Sequence, residues 1–455
     1  MSIVLKKANL PNFKKIAVIG FGMTGQSVMR FFAESTAELI AMDTREFPPN
    51  KKELQGLFPR ARLVTGGLDQ HTLETADVVV LSPGIGADDL ELEKKIGEHT
   101  RVVGDIQLFR NFACAPIIAI TGSNGKSTVA TLVDLMINAT DKTALLGGNI
   151  GVPALDLFQQ ADPDFYVLEL SSFQLDTVQS LDAQVAVVLN VSEDHLDRYA
   201  SFAAYVTSKS SIYRGAKKEL VNRDDTSAPT IHNDNTLSFG LDKPLTENDY
   251  GLLSNDKAHW IVKGEQQLLN VSDLKLRGKQ NWANVMAALA LVELAGLKVT
   301  QAVIDAACDF AGLPHRCEAI ATINSVSWVN DSKGTNVGAT LAAISGFSEQ
   351  KVLILGGLGK GADFRELRPA MDETVRAVIL LGEDAALIEK AIGDLLKCIH
   401  VENLEKAVSK AQNIAQAGDV VLFSPACASM DMFANFMARG ECFKMAVSAL
   451  AEGQY

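Results

Sequence analysis

Ile120-Thr121-Gly122-Ser123-Asn124-Gly125-Lys126-Ser127-Thr128 is the stretch that decides the fold. It follows the apolar run Ala115-Pro116-Ile117-Ile118-Ala119-Ile120 and leads into a helical pattern from Val129 to Ile137. A strand, a Gly-rich turn, Lys-Ser/Thr and a helix together cradle a nucleoside triphosphate. Backbone N–H groups and the helix N-terminus meet the phosphates, the lysine adds charge, and a hydroxyl from Ser127 or Thr128 can hold Mg²⁺. The stretch departs from the general P-loop at one position: Ile120 stands where the first glycine is expected, and the glycine comes late, at Gly122. The reading predicts ATP binding.

Upstream, Lys15-Ile16-Ala17-Val18-Ile19 precedes Gly20-Phe21-Gly22-Met23-Thr24-Gly25 and a helical stretch through Phe32. Glu38-Leu39-Ile40-Ala41-Met42 reads as a second strand ending in Asp43, the spacing at which a dinucleotide fold places an acid for a ribose hydroxyl. A nicotinamide cofactor is one of several ligands such a fold could hold. A third run, Val78-Val79-Val80-Leu81, ends in the loop Ser82-Pro83-Gly84. Downstream, Phe165–Leu170 and Val185–Asn190 read as further strands, and Thr230 to Asp273 as a short, alternating, antiparallel appendage. Asn281 through Ala295 reads as an apolar helix ended by Gly296. Beyond the linker Gly312-Leu313-Pro314-His315-Arg316, apolar strands again alternate with helical patterns. Three α/β domains result: 1–110 Rossmann-like, 111–312 a central P-loop domain, and 313–455 a C-terminal Rossmann-like domain.

The chain has 455 residues and a net charge of −13, with 47% hydrophobic and 21% charged residues. That balance argues against sequence-independent nucleic-acid binding, which needs a basic face. No run approaches a membrane span, and the N-terminus lacks the basic-then-apolar layout of a secretory signal. Its six cysteines are scattered with no C-x-x-C pair, which fits a reducing cytoplasm.

Polar clusters follow the apolar strands, where α/β enzymes place their chemistry. Glu169 leads into Ser171-Ser172-Phe173-Gln174, and Asn190 into Ser192-Glu193-Asp194-His195-Leu196-Asp197-Arg198. Asn330 leads into Asp331-Ser332-Lys333-Gly334-Thr335-Asn336, and the last strand into Ser424-Pro425-Ala426-Cys427-Ala428-Ser429. Glu169 within its strand suits a Mg²⁺ beside the phosphates. His195 is read evenly as a surface group or a functional one, and Lys209, in the helical stretch Phe202 to Tyr213, as a solvated lysine.

The P-loop and the first three of these clusters, taken in order, resemble the Mur ligases. Gly147-Gly148-Asn149-Ile150-Gly151, Gly312 to Arg316 and Ser424 to Ser429 are similar to the branch that adds D-glutamate to UDP-N-acetylmuramoyl-L-alanine. The resemblance runs from about Ile16 to Arg439. It implies an ATP-dependent amide ligase of cytoplasmic peptidoglycan synthesis, expected as a monomer outside the membrane. It places the UDP-substrate against Met23, Thr24, Asp43, Thr44, Arg45, Gly84, Asn149 and His195. ATP falls to Gly122, Ser123, Asn124, Gly125, Lys126, Ser127 and Thr128, with Asn281, Asn284, Arg316 and Asp331 around the nucleotide. D-Glutamate falls to Lys333, Thr335, Lys360, Ser429, Met430 and Phe436. Two Mg²⁺ are implied, one on Ser127 and Glu169, the other on His195 and Lys209. Lys209 is then carbamylated from CO₂, which replaces the solvated reading. The implied catalytic set is Lys126, Glu169, His195 and Lys209. One departure stands out, since Leu358 in Gly357-Leu358-Gly359-Lys360 replaces an aspartate of the better-known members.

Overall fold

The computed structural model describes residues 13–48, 50–86, 90–194, 198–227, 235–255, 258–276 and 278–452. His195, Leu196, Asp197 and Thr230, named above, lie outside the described residues.

Three sheets organise the chain. The first comprises β1 (Lys15–Ile19), β2 (Glu38–Asp43), β3 (Arg62–Thr65), β4 (Val78–Leu81) and β5 (Arg101–Gly104) in the order β3-β2-β1-β4-β5. Every pairing in it is parallel. The order reverses at β1, so the carboxyl ends of β1 and β4 flank a crevice where such sheets bind ligands. β1 is apolar and buried from Ile16 to Ile19 because helices cover both faces.

The second sheet holds β6 (Ile117–Thr121), β7 (Ala144–Gly148), β8 (Phe165–Glu169), β9 (Val185–Val188), β10 (Glu219–Asn222), β11 (Thr236–Phe239), β12 (Tyr250–Asn255), β13 (Ala258–Lys263) and β14 (Gln266–Asn270). Its order is β14-β13-β12-β11-β10-β9-β6-β8-β7. β6 lies between β8 and β9, which puts the loops carrying Gly122, Glu169 and Asn190 side by side. Helix Lys126–Asn138 packs on this sheet with the apolar helix Lys279–Leu294. The antiparallel appendage is β12–β14, and it continues the same sheet. Thr236–Phe239 differs from the alternating reading by pairing parallel to β10.

The third sheet comprises β15 (Glu318–Ile323), β16 (Val326–Asn330), β17 (Lys351–Leu355), β18 (Val375–Leu380), β19 (Cys398–His400) and β20 (Val420–Phe423), ordered β15-β16-β20-β17-β18-β19. All its pairings are parallel except β15 with β16. Asp331, Gly356 and Ser424 thus leave the carboxyl ends of three adjacent strands.

Candidate active site

The turn after β6 is built for close approach. Gly125 adopts φ +81°, and a Cβ there would fall 2.5 Å from Asn284 Oδ1, so no other residue fits without moving Asn284. Asn284 in turn donates from Nδ2 to Asn281 Oδ1 at 3.1 Å, which brings both helix asparagines to the loop. The helix starting at Lys126 has no side-chain cap on its N-terminus. Its first amides have no intrahelical acceptor and form a ready anion site. Two amides expected to face phosphate are engaged elsewhere. Ser123 N donates to Asn190 O and Asn124 N to Asn190 Oδ1, each at 2.8 Å. The uncapped amides at the start of the helix remain available to an anion.

Around that turn lies a chain of polar contacts that crosses from the second sheet to the third. The Ser127 hydroxyl donates to Glu169 Oε2 at 2.6 Å, and Asn149 Nδ2 donates to Glu169 Oε1 at 2.8 Å. Arg316 Nη2 donates to Ser127 Oγ at 2.7 Å. Glu169, at the end of β8, is 2% exposed and would be costly alone, so these donors hold its charge in place. Lys126 Nζ donates to the carbonyls of Gly122 and Ser123 at 2.8 and 2.9 Å. Burial pushes the Lys126 ammonium below its ordinary value; Arg316 adds to that, while Glu169 and Asp194 oppose it. Arg316 is likewise lowered by burial and supported by Glu169 and Asp331.

Lys209 is buried at 2% exposure, which overturns the solvated reading of its helix Phe202–Ser210. The helix runs under the P-loop, so its last turn faces inward. Nζ donates to Gly122 O at 2.9 Å and lies 4.6 Å from the Tyr205 ring centroid. Burial, then the Lys126 charge, holds this amine well below the ordinary lysine value. Ser208, its neighbour, donates to Asp176 Oδ1 and is fixed there together with Tyr199. Among the described residues no group of three or more His, Cys, Asp or Glu could hold a metal ion. Ser127 Oγ and Glu169 are nonetheless adjacent hard oxygen donors that fit Mg²⁺. A carbamate on Lys209 would bring oxygen donors beside Gly122 for the second Mg²⁺.

From the third sheet, His315 (φ +62°) and Cys317 (φ +46°) bend the chain so that Arg316 reaches back to Ser127. Asp331 Oδ1 accepts from Cys317 N at 3.1 Å and Oδ2 from Ser424 Oγ at 2.6 Å. Burial raises this acid to about 6. Lys333 Nζ sits 4.5 Å from the Phe436 ring centroid. Burial, and then the charges of Arg316 and Lys126, lowers Lys333 to about 8. Asn336, one residue past the half-buried Thr335, donates to Asp194 Oδ2 at 3.0 Å and so ties the two sheets' loops together. Lys360 and Met430 are exposed, Phe436 is half-buried and Ser429 is buried.

The first sheet contributes a separate end of the groove. Asp43 was read as a ribose acceptor, but its carboxylate is already engaged. Oδ2 accepts from Phe21 N and Arg45 Nη2, and Oδ1 from Arg45 N and Nε, at 2.8–3.0 Å. The acid orders the first turn and aims Arg45. Met23 and Thr44 are exposed and Thr24 half-buried. Arg198 Nη1 reaches Gly84 O at 3.4 Å and links this sheet's loops to the segment after Asn190.

Three family models cover most of the chain. A Mur ligase MurD-like N-terminal domain matches residues 14–104, a Mur ligase middle domain 120–292, and a Mur ligase glutamate ligase domain 315–427. The UDP-N-acetylmuramoylalanine–D-glutamate ligase of Nitrosococcus oceani is 45% identical over 94% of this chain and 95% of its own length. Its namesake in Pseudomonas aeruginosa is 46% identical over 95% and 98%. This chain belongs to the Mur ligase family. The fold agrees: UDP-N-acetylmuramate-alanine ligase from Thermotoga maritima, 18% identical, superposes with TM-score 0.60 over 96% of this chain and 99% of that one.

In this Mur ligase the P-loop, Glu169, Asn149, Lys209, Arg316, Asn281 and Asn284 converge at one cleft. Asn149, expected along the muramoyl substrate and metal region, lies beside Glu169. Lys360, Ser429 and Met430 lie at a different edge, around Leu358 and Ala428, which pair in an antiparallel bridge. Sequence reading named Asn190 and Asn336 as members of strand-end clusters without giving either a role, and it passed over Tyr205, which shows no pattern in sequence.

Proposed function

We propose that this Mur ligase joins the L-alanyl carboxylate of UDP-N-acetylmuramoyl-L-alanine to the amine of D-glutamate with hydrolysis of ATP, in cytoplasmic peptidoglycan precursor synthesis. The observation that carries it is the contact chain Asn149–Glu169–Ser127–Arg316, which lays an acid, a P-loop hydroxyl and a cation from a second domain at one phosphate site. The near-full-length identity to ligases of that name supports the choice of substrates.

The substrate carboxylate attacks the γ-phosphorus, ADP leaves, and an acyl phosphate forms. The D-glutamate nitrogen attacks the acyl carbon; phosphate departs with the C–O bond, and the amine's proton is released. Both steps bring anions together, so cations and amides must offset the repulsion. Lys126 and the amides at the start of its helix hold the transferred phosphoryl. Arg316 reaches it across the cleft through its place on Ser127. Ser127 and Glu169 would hold one Mg²⁺, and Lys209 as a carbamate, with His195, the second. Mg²⁺ supplies charge neutralisation at the phosphates. Lys209 suits carbamylation because CO₂ reacts with a neutral amine, giving a carbamate and a proton, and burial beside Lys126 favours the neutral form. Asn281, Asn284 and Asp331 border the nucleotide. Lys333, Thr335, Lys360, Ser429, Met430 and Phe436 receive D-glutamate, and Met23, Thr24, Asp43, Thr44, Arg45 and Gly84 the uridine end. Asp43 serves that end through Arg45, because its carboxylate has no acceptor left for a ribose hydroxyl of either a nicotinamide or a uridine nucleotide. We retain 1–110, 111–312 and 313–455 as the domain division and a monomer as the working form.

Phosphate release from ATP with UDP-N-acetylmuramoyl-L-alanine, run against D- and L-amino acids, tests the assignment. D-Glutamate should support turnover and the others little. Turnover with another amino acid, and none with D-glutamate, would move this chain to another step.

A further inference from the structure

The loop after β17, Gly356-Gly357-Leu358-Gly359-Lys360-Gly361, is held from two sides. On one side Leu358 exchanges both backbone hydrogen bonds with Ala428, at 3.0 and 2.9 Å, which sets the loop against the segment leading to Ser429. On the other side stands Asp384, the residue before helix Ala385–Ile392. Aspartate is among the best helix caps, yet this side chain makes no cap bond to its own helix. It turns to the loop: Oδ2 accepts from Gly359 N at 2.6 Å, and Asp384 N donates to Gly357 O at 3.0 Å. The approach requires glycine at 359, where a Cβ would lie 2.5 Å from Phe364 Cζ and 3.2 Å from Asp384 Oδ2.

The residue that follows this anchored amide is Lys360, at φ +51°, a left-handed conformation that L side chains resist. Such a residue persists where its surroundings fix it, and it is commonly found where a side chain must be aimed. Leu358 supplies no side-chain polar group to the loop, so the carboxylate on the amide next to Lys360 comes from Asp384. We propose that Asp384 is a positioning residue for Lys360: it pins the Gly359 amide, keeps Lys360 left-handed, and so aims its ammonium at the D-glutamate carboxylate. This rests on the reading of Lys360 as a D-glutamate contact.

The test measures KM for each of the three substrates in Lys360→Ala, Asp384→Ala, Asp384→Asn and the Asp384→Ala/Lys360→Ala double variant. Asp384→Ala should raise KM for D-glutamate about tenfold, the loss expected of a charge-assisted hydrogen bond. The KM values for ATP and the UDP-substrate should hold. Asp384→Asn keeps an acceptor for Gly359 N and should recover most of that loss. The double variant should be no worse than Lys360→Ala, because Asp384 acts only through the lysine. If Lys360→Ala leaves the D-glutamate KM unchanged, the reading of Lys360 itself fails. If Lys360→Ala raises that KM but Asp384→Ala does not, or the two losses add, the positioning role is overturned. A parallel rise in all three KM values, with a lowered Tm, would mark Asp384 as structural only and overturn it equally.

Discussion

Glu169→Gln separates the charge of Glu169 from its shape. In the parent, one oxygen accepts Ser127 at 2.6 Å and the other Asn149 at 2.8 Å. Glutamine keeps one acceptor. If its oxygen faces Ser127, its NH₂ meets the NH₂ of Asn149, and one hydrogen bond is lost unless Asn149 flips, a cost of about 1 kcal/mol. The counter-charge that supports Lys126 and Arg316 also goes. Against both losses, a carboxylate at 2% exposure no longer has to be kept ionised out of water. The stability terms oppose one another, and Tm should move by no more than about 2–4 °C. Catalysis has no such offset, because the charge acts where phosphoryl is transferred. A loss of about 10²–10³ in kcat is expected, the usual scale for removing one preorganised electrostatic group. Phosphate release at saturating substrates gives kcat, and thermal unfolding gives Tm. A variant that keeps more than about a third of parental kcat would refute the placement of Glu169 at the reacting phosphate, since that is under 1 kcal/mol of barrier.

Asp331 and Lys209 give two further tests. Burial raises Asp331 to about 6 in the folded chain, so folding supplies stability below its unfolded value that is lost as pH rises through about 6. Asp331→Asn lacks that loss, so between about pH 5 and about pH 7.5 its stability relative to the parent should improve by roughly 1 kcal/mol. A Tm difference between the two that stays flat over this range would refute a raised Asp331. For Lys209, ¹³C-bicarbonate should produce a carbamate carbon signal in the parent that Lys209→Ala lacks; identical spectra would remove the carbamate.

The P-loop was legible because its chemistry requires fixed residue types at fixed spacing, and Gly125 shows why, with Asn284 against its α-carbon. Strand-end polar groups were legible for a related reason: an apolar run that stops at Glu169 or Asn330 places a polar side chain at a sheet's carboxyl edge. Lys209 was not, since a lone lysine in a helix looks solvated until the P-loop folds over it. Asp43 shows the limit of a fingerprint, because the spacing was met while the carboxylate was taken by Arg45. Asp384 was invisible: its partner is a backbone amide in a loop from another strand, and such pairings leave no mark in sequence. The nine-stranded sheet was hidden similarly, since β11 joins in parallel through neighbours that periodicity does not name.

The central claim is that the substrate carboxylate itself is phosphorylated before the amide forms. UDP-N-acetylmuramoyl-L-alanine with ¹⁸O in the alanyl carboxylate, turned over with ATP and D-glutamate, tests it by mass spectrometry of the released phosphate. The account predicts one ¹⁸O in phosphate for each amide bond made. Phosphate free of label, with amide formed at the normal rate, would contradict it.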